Sequence, residues 1–244
     1  TPAPSPAPAA VPAPPAPKPI PALTMAAVSP VLAHVPCAAL SASVREHSLS
    51  VQGYVPERYG LARLKGELDA IPGVSSLSAD VLQVNDDKCS VIQTFAPYWV
   101  RNRDAGRPSS LRTRSPNADF AEGDSLILDV TTPGYETYVH VDYYVLDGSV
   151  VHLVPSPRIK TNQAPANYKA TLGTLAGWTI SKPFGTEFIV MLTTPVPLFD
   201  KLRPESESRA DYLRAVDQRL RQIAGKYGSD KIAADFVQIT THAK

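Results

Sequence analysis

Residues 138–154 read YVHVDYYVLDGSVVHLV, and the architecture expected for the chain follows from them. β-Branched and aromatic residues lie on both sides of Asp147-Gly148, a dipeptide typical of a tight turn between antiparallel strands. A two-residue turn here pairs Tyr143 with His152 and places His140 on the opposite face from His152. The segment therefore predicts a β-hairpin within an antiparallel β domain.

Further strands are expected on either side of this hairpin. A helix is expected from about 205 to 224, directly after Pro204, and a last strand after it. We therefore predict an antiparallel, β-sandwich-like domain with a C-terminal helix and strand over residues 119–244. The other strands of this domain, separated by Pro-Gly and Pro-Phe-Gly turns, are 125–131, 178–181, 187–193 and 233–241.

Residues 100–118 precede this domain and contain five arginines and one acidic residue among Pro, Gly, Ser and Asn. We interpret them as a linker whose charge is solvated. The alternative is that the positive run binds an anionic polymer or a lipid headgroup.

Residues 36–99 predict a separate, small α/β domain, so the whole chain is expected to be α+β. Leu40 and Val44 are four positions apart, which is typical of one face of a helix. After Cys89, apolar residues indicate one or two more helical turns. The predicted elements before Cys89 are a helix over 37–47, a strand over 49–54, an amphipathic helix over 57–71 and a strand over 74–84.

Cys37 and Cys89 are the only cysteines and are not in a CxxC arrangement. A zinc site is not expected, because no histidines are grouped nearby to complete it. A structural disulfide is favoured, and two free buried thiols are the alternative. Such a disulfide persists in an oxidising compartment, which points to a periplasmic or other extracytoplasmic location.

Residues 1–35 are interpreted as a proline-rich stalk. Ten of the 25 prolines lie in residues 1–22, where they fix φ and remove amide donors. This composition favours a polyproline II spacer; the alternative is a PxxP ligand, which lacks flanking basic residues apart from Lys18.

Composition and motifs exclude several functions. A formal net charge of +1 argues against nucleic-acid binding, and no run of 18 apolar residues could span a bilayer, so any membrane anchor is expected upstream of Thr1. The motifs GxxxxGK[ST], GxGxxG, GxSxG and HExxH do not occur. We predict no enzymatic activity, no cofactor and no metal site.

Candidate ligand residues are few. The loop at Tyr135 and the 155–170 connection, which contains Arg158, are polar and interrupted by prolines, so Tyr135 and Arg158 are the predicted ligand contacts. His152 is expected to be structural, and His140 beside Asp142 is a weaker functional candidate. A set of aromatic residues could instead bind a glycan or a peptide, or form core: Tyr135, Tyr138, Tyr143, Tyr144 and Trp178.

Two parts of the chain resemble known families. The stretches LSVQGYV (49–55) and IPGV (71–74), with the helix between them, are similar to the BON domain, a small α/β module of bacterial envelope proteins. The C-terminal part resembles an uncharacterised β domain of the extracytoplasmic halves of membrane-anchored bacterial serine/threonine kinases. The matching stretches are FAEGD (120–124), YVHVDYY (138–144), HLVP (152–155), PFGTE (183–187), PLF (197–199) and RPE (203–205).

The resemblance implies a sensing or binding ectodomain tethered to the inner membrane, with the kinase upstream of Thr1. It supplies no catalytic residue, because no kinase motif lies in this chain. The expected partner is an envelope protein, a glycan or a lipid. The rival hypothesis is a structural component of an envelope or secretion-system assembly.

Overall fold

A computed structural model describes residues 21–244, and the chain is α+β, with 28% helix, 36% strand and several sheets. The predicted stalk falls mostly on residues 1–20, which lie outside the described part. None of the helices in residues 21–244 has the length and apolar character that crossing a membrane requires.

The described residues form four helices and thirteen strands. The helices are α1 (Met25–Ala33), α2 (Leu61–Asp69), α3 (Cys89–Asp104) and α4 (Arg209–Tyr227). The strands are β1 (Ala39–Arg45), β2 (Ser48–Pro56), β3 (Ser76–Val84), β4 (Ser110–Thr113), β5 (Asp119–Ala121), β6 (Leu128–Thr131), β7 (Thr137–Tyr144), β8 (Ser149–Val154), β9 (Gln163–Ala164), β10 (Lys169–Leu172), β11 (Thr186–Thr194), β12 (Ser206–Ser208) and β13 (Ala233–His242).

The N-terminal unit, residues 21–88, is built on a three-stranded sheet in the order β1-β2-β3. β1 and β2 are antiparallel, whereas β2 and β3 are parallel and are connected by α2. α1 and α2 cover one face of this sheet, where Val28, Val51 and Leu64 belong to a common core. The spacing of Leu64 and Leu68 on α2 explains this packing, because residues four apart share a helix face.

Two predictions for the N-terminal unit are wrong. Residues 37–47, expected to be a helix, contain strand β1, because a turn at Glu46 (φ 53°) returns the chain to pair Arg45 with Ser48. Residues 25–33, assigned to the stalk, form α1. The predicted strands at 49–54 and 74–84 and the helix within 57–71 are confirmed.

The C-terminal half is organised on a central sheet in the order β12-β8-β7-β11-β13-β5, with β9 beside β7. All neighbours are antiparallel except β13 and β5. β11 lies in the middle, and eight of its nine residues are buried. Such a nearly continuous apolar strand is expected where both faces of a sheet are covered.

One face of the central sheet packs against a second sheet, in the order β10-β6-β4. Leu111 and Leu128 from the second sheet share a core with Val141 and Met191 of the central sheet. Burial of these side chains holds the two sheets together.

The other face of the central sheet is covered by α3, α4 and part of the N-terminal unit. Tyr54 of β2 makes edge-on ring contacts with Trp99 of α3 and Phe188 of β11, at centroid distances of 5.8 and 5.2 Å. Trp99 stacks on Phe236 of β13 at 5.9 Å. One hydrophobic core therefore contains residues of both halves of the chain.

The prediction that residues 100–118 form an unstructured linker is wrong. α3 continues to Asp104, and β4 occupies residues 110–113. Asn102 is 2% exposed, and its amide donates to the carbonyls of Ser109 and Ala234. The segment is therefore packed against the central sheet rather than solvated.

Two arginines of this segment, Arg103 and Arg107, bind Asp235, a fully buried residue of β13. Arg103 donates to Asp235 Oδ1 at 2.9 Å, and Arg107 donates to Oδ2 at 2.8 Å. The backbone amide of Leu111 donates to the same Oδ2 at 2.8 Å. A buried carboxylate with three donors is well compensated, so the charge run has a structural use.

The hairpin at residues 138–154 is confirmed, but its predicted register is wrong. The turn has three residues, 146–148, because Gly148 adopts φ 87° and the backbone amide of Val145 donates to Ser149. Asp142, rather than its neighbour, is therefore opposite His152. This one-residue change moves the His152 side chain to the other face of the sheet.

The predicted disulfide is confirmed. Cys37 and Cys89 are bonded, with their Cα atoms 5.0 Å apart. The bond joins the segment before β1 to the first residue of α3, so the N-terminal unit is covalently closed onto the helix that shares the core with the central sheet.

Candidate functional site: a ligand groove and a buried histidine cluster

A groove of about 380 Å³ lies between the β7–β8 hairpin and the segment 177–183. We call it the Trp178 groove. The lining residues that matter below are Tyr143, Asp147, Arg158, Trp178, Lys182, Glu187 and Glu205.

Trp178 forms one wall of the groove and is 8% exposed. Its backbone carbonyl accepts a hydrogen bond from the amide of Leu126 at 2.9 Å, which fixes the segment. Gly173 lets the ring lie close, because a Cβ there would be 2.1 Å from the Leu126 carbonyl oxygen and 3.0 Å from the ring. Within residues 21–244 the indole N–H has no hydrogen-bond acceptor and is not shielded from solvent, so it can donate to a ligand or to water.

Arg158 lies at the groove, as the ligand-contact prediction requires, but Tyr135 does not. The Arg158 guanidinium donates to the carbonyl of Ala176 at 3.0 Å and lies 3.4 Å from a carboxylate oxygen of Glu205. Tyr135 is not among the groove-lining residues, and its ring is covered by the Lys231 ammonium at 4.8 Å. The structure therefore does not bring the two predicted residues into one site.

Of the candidate aromatic set, Tyr143 and Trp178 line the groove, whereas Tyr144 is fully buried in the core. The Tyr143 hydroxyl donates to Glu187 Oε2, which also accepts from Thr241 Oγ1 at 3.3 Å. Burial raises the pKa of Glu187 and favours its neutral form. Glu187 is therefore charged less readily than an exposed glutamate.

On the other face of the β7–β8 hairpin lies a buried polar cluster around His152. Its Nδ1 lies 2.6 Å from Asp142 Oδ1, and its Nε2 lies 3.0 Å from Glu207 Oε1. Carboxylates only accept, so both ring nitrogens carry protons and His152 is an imidazolium. Tyr212 donates to Asp142 Oδ2 at 2.6 Å, and Arg203 donates to Glu207 at 2.7 Å.

The cluster shifts the pKa values of two histidines in opposite directions. Burial alone would lower the pKa of His152, but the hydrogen bonds and charges of Asp142 and Glu207 outweigh burial and raise it. Burial lowers the pKa of His140 to about 4. At neutral pH, His140 is therefore uncharged.

Sequence reasoning did not find this cluster. The two-residue turn placed His140 and His152 on opposite faces, whereas the observed register places both on the face of Asp142. Glu207 on β12 and Tyr212 in the first turn of α4 are distant in sequence and carried no motif. The Asp147-Gly148 dipeptide was the available signal for the pairing of β7 with β8. Interpreting it as part of a three-residue turn, instead of a two-residue turn, gives the observed pairing of Asp142 with His152.

A small cavity of about 150 Å³ adjoins the cluster. We call it the histidine cavity, and its lining includes His140, Asp142, His152, Lys160, Asn162, Lys201, Arg203 and Tyr212.

The cluster is poorly suited to general base catalysis. Both nitrogens of His152 are occupied by carboxylates, and within residues 21–244 no serine, threonine or cysteine side chain is hydrogen-bonded to a histidine. Both cysteines are in the disulfide. In the same part of the chain, no three metal-ligating side chains are grouped as a metal site.

Comparison of the chain with models of known protein families, with curated proteins and with solved structures finds no match.

Proposed function

We propose that this chain is a non-catalytic binding and sensing module of a bacterial cell envelope, and that its ligand occupies the Trp178 groove. The observation that carries the proposal is Trp178, a mostly buried residue in a groove of ligand size, whose indole N–H keeps solvent access and has no acceptor within residues 21–244. Grooves with aromatic walls and a few free polar groups are typical of binding sites.

The groove chemistry favours a glycan. Tyr143 and Trp178 offer apolar ring surface together with polar atoms, which suits a sugar ring. The lining contains both signs of charge, with Arg158 and Lys182 against Asp147, Glu187 and Glu205, and Arg158 is paired with Glu205. A neutral, hydroxyl-rich ligand fits this mixture of charges better than a lipid headgroup or a strongly charged polymer.

Three features support the extracytoplasmic and signalling parts of the proposal. The disulfide is of a kind that persists in an oxidising compartment such as the periplasm. The order β2-α2-β3 is compatible with a BON-like unit. The resemblance of the C-terminal half to kinase ectodomains leads us to propose a membrane-anchored serine/threonine kinase as the protein that carries this module.

A structural role in an envelope assembly is the second candidate, and strand β3 favours it. Within the described residues β3 pairs only with β2, so its nine residues leave one edge unpaired. Leu82 on this strand is 49% exposed. An exposed edge of this length with a single charged residue, Asp80, can add a strand from another chain.

Calorimetric titration with N-acetylglucosamine oligosaccharides and with soluble peptidoglycan fragments tests the glycan proposal. We expect saturable binding that weakens about tenfold, or about 1.4 kcal/mol, in Trp178→Phe and in Arg158→Ala. Tyr135→Ala is the matched control and should bind like the wild type, since Tyr135 does not line the groove. Absence of binding, with concentration-dependent self-association that Leu82→Lys abolishes, would favour the structural role instead.

A further inference from the structure

The histidine cavity differs from the Trp178 groove in size and in the groups that line it. Its volume of about 150 Å³ corresponds to the space of about five water molecules. An oligosaccharide does not fit such a volume, whereas a small ion with some of its hydrating water does.

His140 supplies a hydrogen-bond donor to this cavity. It is 5% exposed, and its Nε2 lies 3.4 Å from the amide nitrogen of Asn162. The amide nitrogen can only donate, so Nε2 accepts and the ring proton is on Nδ1. Within residues 21–244 this Nδ1–H has no acceptor and is not fully shielded from solvent, so it is a donor that a small ligand in the cavity can reach.

The carboxylate in the wall is already satisfied. Asp142 accepts from His152 at one oxygen and from Tyr212 at the other, both at 2.6 Å. Arg203 is engaged with Glu207. Each Asp142 oxygen and the Arg203 guanidinium therefore already have a partner within the protein.

The exposed rim of the cavity carries more positive than negative charge. Lys160 and Lys201 line it, and neither has a salt-bridge partner in the described part of the chain. Asp200 is the acidic residue that faces them. A cavity lined by two lysines and a histidine N–H donor offers the charge and the hydrogen-bond donors that anion-binding sites commonly use.

We propose that the histidine cavity is a second binding site, which holds a small oxyanion such as a carboxylate or a phosphate group. The anion accepts the Nδ1–H of His140 and is neutralised by Lys160 and Lys201. This site is independent of the glycan proposed for the Trp178 groove, so failure of either proposal leaves the other standing.

The test is a titration of the full chain with sodium phosphate or sodium acetate at pH 7 and constant ionic strength, observed through the histidine ring NMR signals. His140→Gln identifies the His140 signal. We expect a saturable shift of that signal below about 20 mM anion, the range for a ligand of a few atoms. Bound anion should also raise the pKa of His140, since a nearby negative charge favours the imidazolium.

Matched lysine variants separate this site from general ion effects. Lys160→Ala combined with Lys201→Ala should weaken the anion at least about fivefold, whereas Lys169→Ala, an exposed lysine outside the cavity, should not. A response to phosphate alone identifies a phosphate group, and a response to acetate alone identifies a carboxylate. No saturable shift with either salt, or an equal shift in the double lysine variant, overturns the proposal.

Discussion

Asp235 and Asp142 lie on β13 and β7, the two strands that flank β11, and both are buried. Asp235 is neutralised by Arg103 and Arg107, whose guanidinium groups keep their charge over the physiological pH range. Asp142 is neutralised by His152, whose charge depends on a proton. The buried carboxylate on β13 therefore has counter-charges that do not depend on pH, whereas the one on β7 has a counter-charge that is lost when His152 loses a proton.

Breaking the ion pairs between Asp235 and the two arginines gives the largest expected effect. Asp235→Ala leaves two arginines partly buried without a counter-charge, so we expect it to destabilise the fold by about 3–5 kcal/mol. Urea unfolding measures the loss. Asp217→Ala, which breaks an exposed pair with Arg221, is the control and should cost less than about 1 kcal/mol. Equal effects of the two variants would show that Asp235 does not anchor α3.

The disulfide tests how far α3 depends on Asp235, because it holds the other end of that helix. Replacing Cys37 and Cys89 by serine should cost about 2–4 kcal/mol, chiefly by freeing the unfolded chain. Both halves of the chain contribute to one hydrophobic core. We therefore expect unfolding of this variant to remain a single transition. Two separate calorimetric transitions would instead support independent domains.

The protonation of His152 should make stability depend on pH. The folded-state pKa of His152 is raised, so its contribution is fully present below about pH 6.5, the unfolded pKa, and is lost as the pH rises through the folded pKa. His152→Gln should therefore cost most at low pH, about 1.5–3 kcal/mol for lost hydrogen bonds to charged groups. Urea unfolding at several pH values measures this difference.

His242→Gln is the matched control for that series, because His242 is half exposed at the chain terminus. Its difference from the wild type should stay small at every pH. A His152→Gln difference that does not change with pH would contradict the charged state assigned to His152. Burial lowers the pKa of His140 to about 4, so the series is compared above about pH 5, where His140 is uncharged in the wild type.

The smallest expected effect concerns Tyr54, which connects the two halves through its ring and its hydroxyl. The hydroxyl donates to the carbonyl of Phe236 at 3.3 Å. Tyr54→Phe keeps the ring contacts and removes this bond, so we expect a loss of about 1 kcal/mol in unfolding free energy. An unchanged free energy of unfolding would mean that the Tyr54 hydroxyl does not contribute to stability.

Sequence patterns correctly predicted the helices and strands whose formation depends on residues close by in the sequence. The strand at 74–84, the helix within 57–71 and the hairpin at 138–154 follow from spacing and turn residues, and all are present. Residues 37–47 were assigned to a helix because Leu40 and Val44 are four positions apart, as on one helix face. Pairing with β2 overrides that preference, as tertiary contacts often do.

The candidate sites depended on distant contacts that the sequence does not display. Arg158 was predicted as a ligand contact from its polar, proline-interrupted loop, but Trp178, which lines the same groove, comes from a separate segment. Residues 100–118 had the composition of a linker, and the acceptor of Arg103 and Arg107, Asp235, lies more than a hundred residues away. Charge composition alone cannot distinguish a solvated arginine from one with a buried partner.

The Cys37–Cys89 bond also determines how the molecule would respond to mechanical force. A pull applied through residue 21 reaches Cys37 and then passes directly to Cys89 and α3, bypassing strands β1 to β3. The 52 residues of sequence separation, about 180 Å when fully extended, are removed from the length over which the chain can stretch. Tension would therefore be delivered to the helix that packs on the central sheet before the N-terminal unit could lengthen.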